Sequence, residues 1–252
     1  MTLWALKLEY DGQKFVGWQR QTNGISVQQV LEEAAAKLNG GNPVASFTAG
    51  RTDAGVHAEA QVAQLALEIP LSAERLCDAL NFHMKPHDVA VLRAVPAPGG
   101  WNARFSAIRR TYRYCILNRR ARPALLAHRV WHVKPALDDA AMQRAARHLV
   151  GRHDFSSFRA ALCQAKSPVR TLDRLDVVRS GERIEIFAEA RSFLHHQVRN
   201  MVGTLKLVGE GAWPEEAVAR ALLARDRRAA GPTAPADGLS LTGVFYPVDP
   251  FA

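Results

Sequence analysis

The sequence predicts an α+β protein made of two similar halves, each with a mixed, mainly antiparallel sheet and helices on one face. Apolar and polar residues alternate in several short segments, which is typical of half-buried strands. Segments with an apolar stripe at helical spacing lie between them and begin at capping residues. The order of these elements recurs after a break at residues 96–100, where two prolines and two glycines occur. We therefore expect one half at residues 1–100 and the other at 101–252.

The first half begins with a strand at residues 3–10, whose apolar face carries Trp4, Leu6, Leu8 and Tyr10. Ser26 then starts a helix, because it can form a capping box with the residue three positions later. Its apolar stripe ends before a glycine that is typical of a helix C-terminus. The remaining elements of this half are expected to be a strand at 44–48, a strand over 63–69, a helix capped by Ser72 and a strand at 88–95.

The second half is expected to repeat this alternation with longer elements. Short connections between its strands, such as the Ser180-Gly181 turn, require antiparallel neighbours. The similarity between the halves is one of element order and not of residue-by-residue repetition. The expected strands are 111–117, 170–179, 183–190 and 239–246, and the expected helices are 138–150, 193–208 and 215–225.

Composition limits the classes of partner. Lysine and arginine number 33 against 24 acidic residues, a net charge of +9, which favours a nucleic acid first and an anionic membrane surface second. The three cysteines are far apart and have no metal-ligand spacing, as expected in a reducing compartment. The N-terminus does not resemble a signal peptide, and no apolar stretch is long enough to span a bilayer. We expect a cytoplasmic protein.

Residues 49–58 carry the strongest candidate for catalysis, because they place a carboxylate beside a guanidinium in a glycine-rich turn. Gly50 and Gly55 are expected to allow unusual backbone angles and close approach of a ligand. Arg51 is expected to keep Asp53 ionised. An ionised carboxylate in a tight turn is a candidate nucleophile or base. The alternative is that Asp53 only stabilises its own turn through backbone amides.

The segment from residue 101 to 131 combines arginines with aromatic residues, as RNA-binding surfaces do. Arginines contact phosphates, and aromatic rings stack on unpaired bases. The alternative is that the tyrosines belong to the core and the arginines to a solvated rim. The arginines are Arg104, Arg109, Arg110, Arg113, Arg119, Arg120, Arg122 and Arg129, and the aromatic residues are Trp101, Phe105, Tyr112, Tyr114 and Trp131.

The helix expected at 193–208 carries further polar candidates. His195 and His196 are adjacent in sequence and should point in different directions, which makes them poor joint metal ligands. Arg199 either reaches a carboxylate or is a surface arginine. The chain has no phosphate-binding GxxxxGK[ST] loop, no GxGxxG and no GxSxG, so nothing indicates a nucleotide cofactor or a serine nucleophile.

Several of these motifs, in this order and across nearly the whole chain, resemble the tRNA pseudouridine synthase family. The resemblance implies isomerisation of uridine to pseudouridine at positions 38, 39 and 40 of the tRNA anticodon stem-loop. It also implies no metal or organic cofactor, a homodimer, and a basic catalytic cleft between the halves. The motifs are Tyr10-Asp11-Gly12, Gly17-Trp18-Gln19, residues 49–58, Ala103-Arg104-Phe105-Ser106-Ala107, Arg110-Thr111-Tyr112-Arg113-Tyr114, residues 154–158, 195–203 and 230–235, and Gly238-Leu239.

The resemblance assigns roles to four residues. Asp53 corresponds to the catalytic aspartate, Tyr112 to the tyrosine that packs on the target base, Arg199 to the basic partner of the aspartate, and Leu239 to an apolar residue lining the pocket. Arg51 is expected to bind substrate beside Asp53. The residues alone leave open whether the carboxylate attacks C1′, attacks C6 or promotes elimination to a glycal.

Two other functions remain open at this level. A non-catalytic RNA-binding protein accounts for the charge and the aromatic residues, with the Asp53 turn as a structural element. A hydrolase acting on the glycosidic bond would release free uracil, although such enzymes usually pair two carboxylates and this turn supplies one.

Overall fold

The computed structural model describes residues 1–161 and 163–252, and within them the chain divides into two compact units. Unit 1 consists of residues 1–110 and 241–252, and unit 2 of residues 111–240. The described residues form five α-helices and ten strands, and most of the strand pairs are antiparallel. The predicted α+β class with a mixed, mainly antiparallel sheet is confirmed. No helix of the described residues is long and apolar enough to cross a membrane.

Unit 1 has the strand order β4-β1-β3-β10, with the short β2 on β3. β1 is antiparallel to both β3 and β4. The two helices pack against each other, and α2 also packs on β4. Both begin as predicted, since the Ser26 and Ser72 side chains accept the amides of Gln29 and Arg75. The elements are β1 (Thr2–Tyr10), α1 (Val27–Leu38), β2 (Ser46–Thr48), β3 (His57–Leu67), α2 (Ala73–Met84) and β4 (Val89–Pro96), with most of β10 (Leu239–Phe245).

Unit 2 has the strand order β5-β9-β8-β7, and β6 runs parallel to β5. α3 packs on α4 and on β8. The elements are β5 (Arg109–Asn118), β6 (Trp131–Val133), α3 (Asp139–Ala146), β7 (Gly151–Asp154), β8 (Val169–Ser180), β9 (Arg183–Ala190), α4 (Gln197–Gly209) and α5 (Glu216–Ala224).

The compact units differ from the expected halves at both ends of the second half. Residues 101–110 and 241–252 belong to unit 1 because their apolar side chains complete its core. Trp101, Ala103, Ala107 and Tyr246 are buried in one cluster with Ala5, Ala49 and Val62 of the first segment. The proline- and glycine-rich segment that suggested a boundary is therefore a connection within one unit.

Two helices of unit 2 are shorter than expected at a specific end. α3 stops at Ala146 and continues as a single 3₁₀ turn over Arg147–Leu149. α4 begins at Gln197 and not near Phe193, because His196 has a φ of 62° and takes the left-handed conformation before the first turn.

Candidate active site

The backbone of the Asp53 turn, defined as residues 49–57, is closed by a hydrogen bond. The Val56 amide donates to the Asp53 carbonyl over 3.1 Å. Gly55 has a φ of 79°, as expected for a glycine that this turn requires. The same expectation was wrong for Gly50, which has no positive φ and has open space where a Cβ would lie. Asp53 itself is half-buried.

Two glycines from the N-terminal motifs allow the chain to pack closely on this turn. A Cβ at Gly12 would lie 2.1 Å from the Val56 carbonyl oxygen, and one at Gly17 would lie 2.6 Å from the Thr52 carbonyl oxygen. Gly17 also has a φ of 107°. The Trp18 amide donates to that Thr52 carbonyl over 3.1 Å. Residues 12–18 thus pack against the turn and help to position Asp53.

A buried polar network holds the other side of the turn. The Tyr10 hydroxyl and the Thr52 Oγ1 are 2.8 Å apart. Gln61 donates from Nε2 to the Tyr10 hydroxyl over 3.2 Å and to the Gly50 carbonyl over 2.8 Å. Burial raises the pKa of Tyr10 to about 12, so its proton is retained at neutral pH. The residues on both sides of Arg51 are therefore fixed by neutral side chains.

Arg110 is a third support of the turn and comes from the arginine-rich segment. Its side chain is buried, and Nη2 donates to the carbonyls of Ala49 and Arg104, each over 2.7 Å. Nη1 donates to the Ala107 carbonyl over 3.1 Å. The charge of a buried guanidinium is thereby compensated by carbonyl oxygens. The prediction that Arg110 belongs to a phosphate-contacting surface was therefore wrong.

Arg51 does not provide the support that its position in the sequence suggested. It is exposed, and within residues 1–161 and 163–252 its guanidinium makes no ion pair or hydrogen bond, with Asp53 or otherwise. Its neighbour Thr52 is buried instead, because the Thr52 side chain faces Tyr10. The orientation of the turn therefore comes from Thr52 and the segments described above.

In unit 2, Tyr112 and Tyr114 lie on β5 and are both buried. The Tyr112 ring meets the Phe193 ring edge to face, with centroids 5.2 Å apart. The Tyr114 hydroxyl donates to the Pro235 carbonyl over 2.8 Å, and burial raises the Tyr114 pKa well above its ordinary value. Tyr114 is therefore a core residue that fixes a loop, whereas the ring of Tyr112 is anchored by Phe193.

Arg199 lies on α4 and is hydrogen-bonded to the loop formed by residues 230–238, which we call the 230–238 loop. Its Nε donates to the Ala234 carbonyl over 2.8 Å, and the Ala234 amide donates to the Arg199 carbonyl over 3.1 Å. Leu239 follows this loop and is buried at the start of β10. Arg199 and Leu239 are thus positioned by the same loop.

The 230–238 loop packs on α4 as closely as residues 12–18 pack on the Asp53 turn. A Cβ at Gly203 would lie 1.8 Å from the Pro232 carbonyl oxygen. The Thr233 hydroxyl donates to Asn200 Oδ1 over 2.7 Å, and the Gly231 amide donates to Thr204 Oγ1 over 2.9 Å. Asn200, Gly203 and Thr204 on this face of α4 therefore hold the 230–238 loop in place.

Arg227 is a second arginine that supports this loop. Nη1 donates to the Gly231 carbonyl over 2.9 Å, and Nη2 donates to Thr233 Oγ1 over 3.1 Å and to Asn200 Oδ1 over 3.2 Å. Partial burial lowers the pKa of the Arg227 guanidinium. Arg227 thus has in unit 2 a role similar to that of Arg110 in unit 1.

The two histidines before α4 do not diverge as their adjacency suggested. Their ring centroids are 4.0 Å apart, and His196 has the left-handed backbone conformation described above. His195 is exposed and His196 is half-buried.

The arginine-rich segment contains side chains with different environments. Arg119 pairs with Glu182 over 2.9 Å and Arg113 with Glu185 over 3.6 Å. Trp101 is buried in the core of unit 1, whereas Phe105 is 75% exposed. The segment is therefore partly core and partly surface.

Several residues that hold the Asp53 turn or the 230–238 loop in place were not identified from the sequence. Gln61 lies just before the strand expected over 63–69, Asn200 and Thr204 lie on a helix, and Arg227 lies in an arginine-rich turn, so none has a local signal. The Tyr10-Asp11-Gly12 motif did contain a signal, since a glycine directly after a strand suggests close backbone approach.

The chain matches known proteins over nearly its full length. The sequence pattern of a family described as tRNA pseudouridine synthase matches residues 7–106 and 145–247. A tRNA pseudouridine synthase A of Acidiphilium cryptum is 68% identical over 252 residues, covering 100% of this chain and 99% of the relative. Proteins of the same name from Rhodospirillum centenum and Gluconobacter oxydans are 62% and 55% identical, over 98% of this chain and 100% and 91% of the relatives. The chain belongs to the tRNA pseudouridine synthase family.

Proposed function

We propose that this chain isomerises uridine to pseudouridine in tRNA, at positions 38, 39 and 40 of the anticodon stem-loop, with Asp53 as the catalytic residue. The observation that carries the proposal is the Asp53 turn itself. A half-buried carboxylate stands on a backbone that three separate segments hold in place. Such fixing of one acidic group fits catalysis, which needs a reacting group in a defined position.

The reaction breaks the N1–C1′ bond, turns the base and forms a C1′–C5 bond, while C5 loses a proton and N1 gains one. No electrons are gained or lost overall, so the conversion needs no redox cofactor. A carboxylate can assist by attack at C1′, by attack at C6 or by removing a sugar proton. All three routes require Asp53 to be ionised and to touch the substrate.

The other candidate residues have roles that match their surroundings. Tyr112, with its ring set by Phe193, packs on the target base, and Leu239 supplies an apolar wall. Arg199, with its Nε held by the Ala234 carbonyl, supplies positive charge in a defined direction. Arg51 is exposed and contacts the substrate RNA.

A uridine within a stem must leave the helix to react, which costs a few kcal/mol. The net charge of +9 offsets this cost through phosphate contacts, so tRNA binding should weaken as salt rises. We further propose that the enzyme acts in the cytoplasm, as a homodimer.

The test is to incubate the purified protein with a tRNA transcript that carries tritium at C5 of its uridines, without added cofactor. We expect tritium release, because the C5 hydrogen leaves as the new bond forms. A transcript with cytidine at positions 38, 39 and 40 is the control and should release none.

Three other results would contradict the proposal in different ways. Tight binding without tritium release would indicate an RNA-binding protein. Free uracil in the supernatant would indicate a hydrolase. Equal release from the control transcript would place the modified uridines elsewhere in the tRNA.

A further inference from the structure

Residues 102–107 form a loop that holds a large aromatic side chain in solvent. The Asn102 side chain accepts the amides of Arg104 and Phe105 over 2.9 and 3.0 Å. The Ser106 amide donates to the Asn102 carbonyl, and the Ser106 hydroxyl accepts the Asn102 amide, each over 3.0 Å. The loop is thus closed on itself, and yet Phe105 remains 75% exposed. An ordered loop that exposes a phenylalanine offers a ready-made contact surface.

Two exposed phenylalanines of unit 1, Phe105 and Phe245, each have an arginine over the ring. The Arg104 guanidinium is 5.6 Å from the centroid of the Phe105 ring, and that of Arg109 is 4.2 Å from the centroid of the Phe245 ring. The two pairs are on joined segments, because the Ile108 amide donates to the Phe245 carbonyl over 2.9 Å. A cation beside an aromatic face is the combination that binds a base and its phosphate.

Arg110 connects this surface to the Asp53 turn. The same nitrogen, Nη2, donates to the Arg104 carbonyl and to the Ala49 carbonyl at the start of the turn. The two carbonyl oxygens are therefore within two hydrogen-bond lengths of each other. The backbone of the 102–107 loop and the start of the Asp53 turn are therefore neighbours in unit 1.

We propose that the two arginine–phenylalanine pairs, Arg104–Phe105 and Arg109–Phe245, bind unpaired nucleotides next to the target uridine. The inference rests on the proposed function and adds the place where the flanking RNA is held. The phenylalanines stack on bases, and the arginines contact phosphates. A polyanion is favoured over a second protein chain because cations accompany both rings and the net charge is +9.

The first test compares Phe105→Ala with Phe82→Ala. Phe82 is a matched control, since it is also on unit 1 and is 67% exposed, but it has a histidine and no arginine at its ring. The probe is an RNA hairpin with the sequence of an anticodon stem-loop, and the readout is Kd by filter binding. We expect Phe105→Ala to raise Kd roughly 5- to 150-fold, as loss of one stacked base does. Phe82→Ala should leave Kd unchanged, and Phe105→Trp should restore tight binding.

A fully paired RNA duplex of the same length separates stacking from general RNA affinity. The duplex has no unpaired base to offer, so Phe105→Ala should not change its Kd. For Arg104→Gln, the slope of log Kd against log salt should fall by about 0.7 to 0.9, the value for one phosphate contact. An equal loss on hairpin and duplex would overturn the assignment to unpaired bases.

Two results would overturn the proposal as a whole. One is an unchanged hairpin Kd for Phe105→Ala, with the variant folded as judged by its thermal unfolding. The other is a change of oligomeric state in sedimentation without a change in Kd, which would make this surface a protein contact. Because Kd and tritium release are separate measurements, either result is distinguishable from a failure of pseudouridine formation by the unmodified protein.

Discussion

The Asp53 turn of unit 1 and the 230–238 loop of unit 2 are both held by an arginine, but the contacts of the two arginines span different separations along the sequence. Each has an arginine that donates to backbone carbonyls, Arg110 in unit 1 and Arg227 in unit 2. Arg110 joins residues 61 positions apart, and the Tyr10–Thr52 hydrogen bond spans 42 positions. Arg227 donates to carbonyls three and four residues away and to the side chain of Asn200 on α4.

This difference predicts how each region fails. Contacts between distant segments form only when unit 1 is folded, so damage to the Asp53 supports should lower the free energy of global unfolding. Contacts within a loop and one helix can open locally while the rest of unit 2 stays folded. The Asp53 turn should thus be the more rigid of the two, and the loop that positions Arg199 and Leu239 the more adaptable.

The largest losses of stability are expected when a methyl group is added to a glycine that packs directly against a backbone carbonyl. Gly12→Ala and Gly203→Ala would place a Cβ 2.1 and 1.8 Å from a carbonyl oxygen, so backbone must move in both. We expect Gly12→Ala to lower the free energy of unfolding, measured by urea denaturation, by at least about 3 kcal/mol. Gly203→Ala should lower it by less, because the 230–238 loop can move away from α4 while the rest of unit 2 stays folded. Gly50→Ala is the control in the same turn and should cost less than about 1 kcal/mol, because open space surrounds that position. Equal costs at Gly12 and Gly50 would contradict the role of residues 12–18.

Arginine-to-lysine substitutions test whether the long-range contacts of Arg110 stabilise the protein more than the more local contacts of Arg227. A lysine keeps the charge but cannot reproduce the several fixed hydrogen bonds of a guanidinium. We expect Arg110→Lys to lower the free energy of unfolding by about 2–4 kcal/mol and Arg227→Lys by about 1–2 kcal/mol. Hydrogen exchange of the Ala49 to Val56 amides should rise in the first variant only. A larger loss of stability for Arg227→Lys would reverse the comparison.

Smaller effects are expected when the hydroxyl is removed from Tyr10 in unit 1 or from Tyr114 in unit 2. Tyr10→Phe removes the hydroxyl that meets Thr52 and Gln61, and Tyr114→Phe removes the one that donates to the Pro235 carbonyl. Each should cost about 1–2 kcal/mol of stability. We expect Tyr10→Phe to reduce kcat several-fold because the Asp53 turn loosens, and Tyr114→Phe to act mainly on KM. The same kcat-to-KM pattern in both variants would remove the distinction between turn and loop.

Tyr112→Phe should have the smallest effect on binding, because the ring and its contact with Phe193 remain and only the hydroxyl is removed. The tRNA affinity is expected to stay within about 0.5 kcal/mol of that of the unmodified protein. If the hydroxyl relays a proton, pseudouridine formation in the tritium-release assay will be slower at unchanged Kd. An unchanged rate would restrict Tyr112 to packing, and a large loss of affinity would contradict its anchoring by Phe193.

Local signals in the sequence predicted most elements and the Asp53 turn. The capping serines and the alternating strands depend on neighbours along the chain, and they were confirmed. The strands Trp131–Val133 and Gly151–Asp154 were missed, because strands this short have no visible period and depend on pairing with β5 and β8. The long-range supports of Asp53 had no local pattern either. Arg110 looked like its exposed neighbours, and only the fold shows that its guanidinium is directed at carbonyls of the core.

The measurement that tests the central claim most directly is pseudouridine formation and tRNA affinity of Asp53→Asn, beside Asp173→Asn. Asp173 is an exposed aspartate on β8 and serves as the control. Asparagine keeps the shape of the side chain and removes its charge. We predict that Asp53→Asn binds tRNA with a Kd close to that of the unmodified protein and forms pseudouridine at least about 10³-fold more slowly. The control should retain both properties, and a rate for Asp53→Asn equal to that of the control would contradict the assignment of catalysis to this carboxylate.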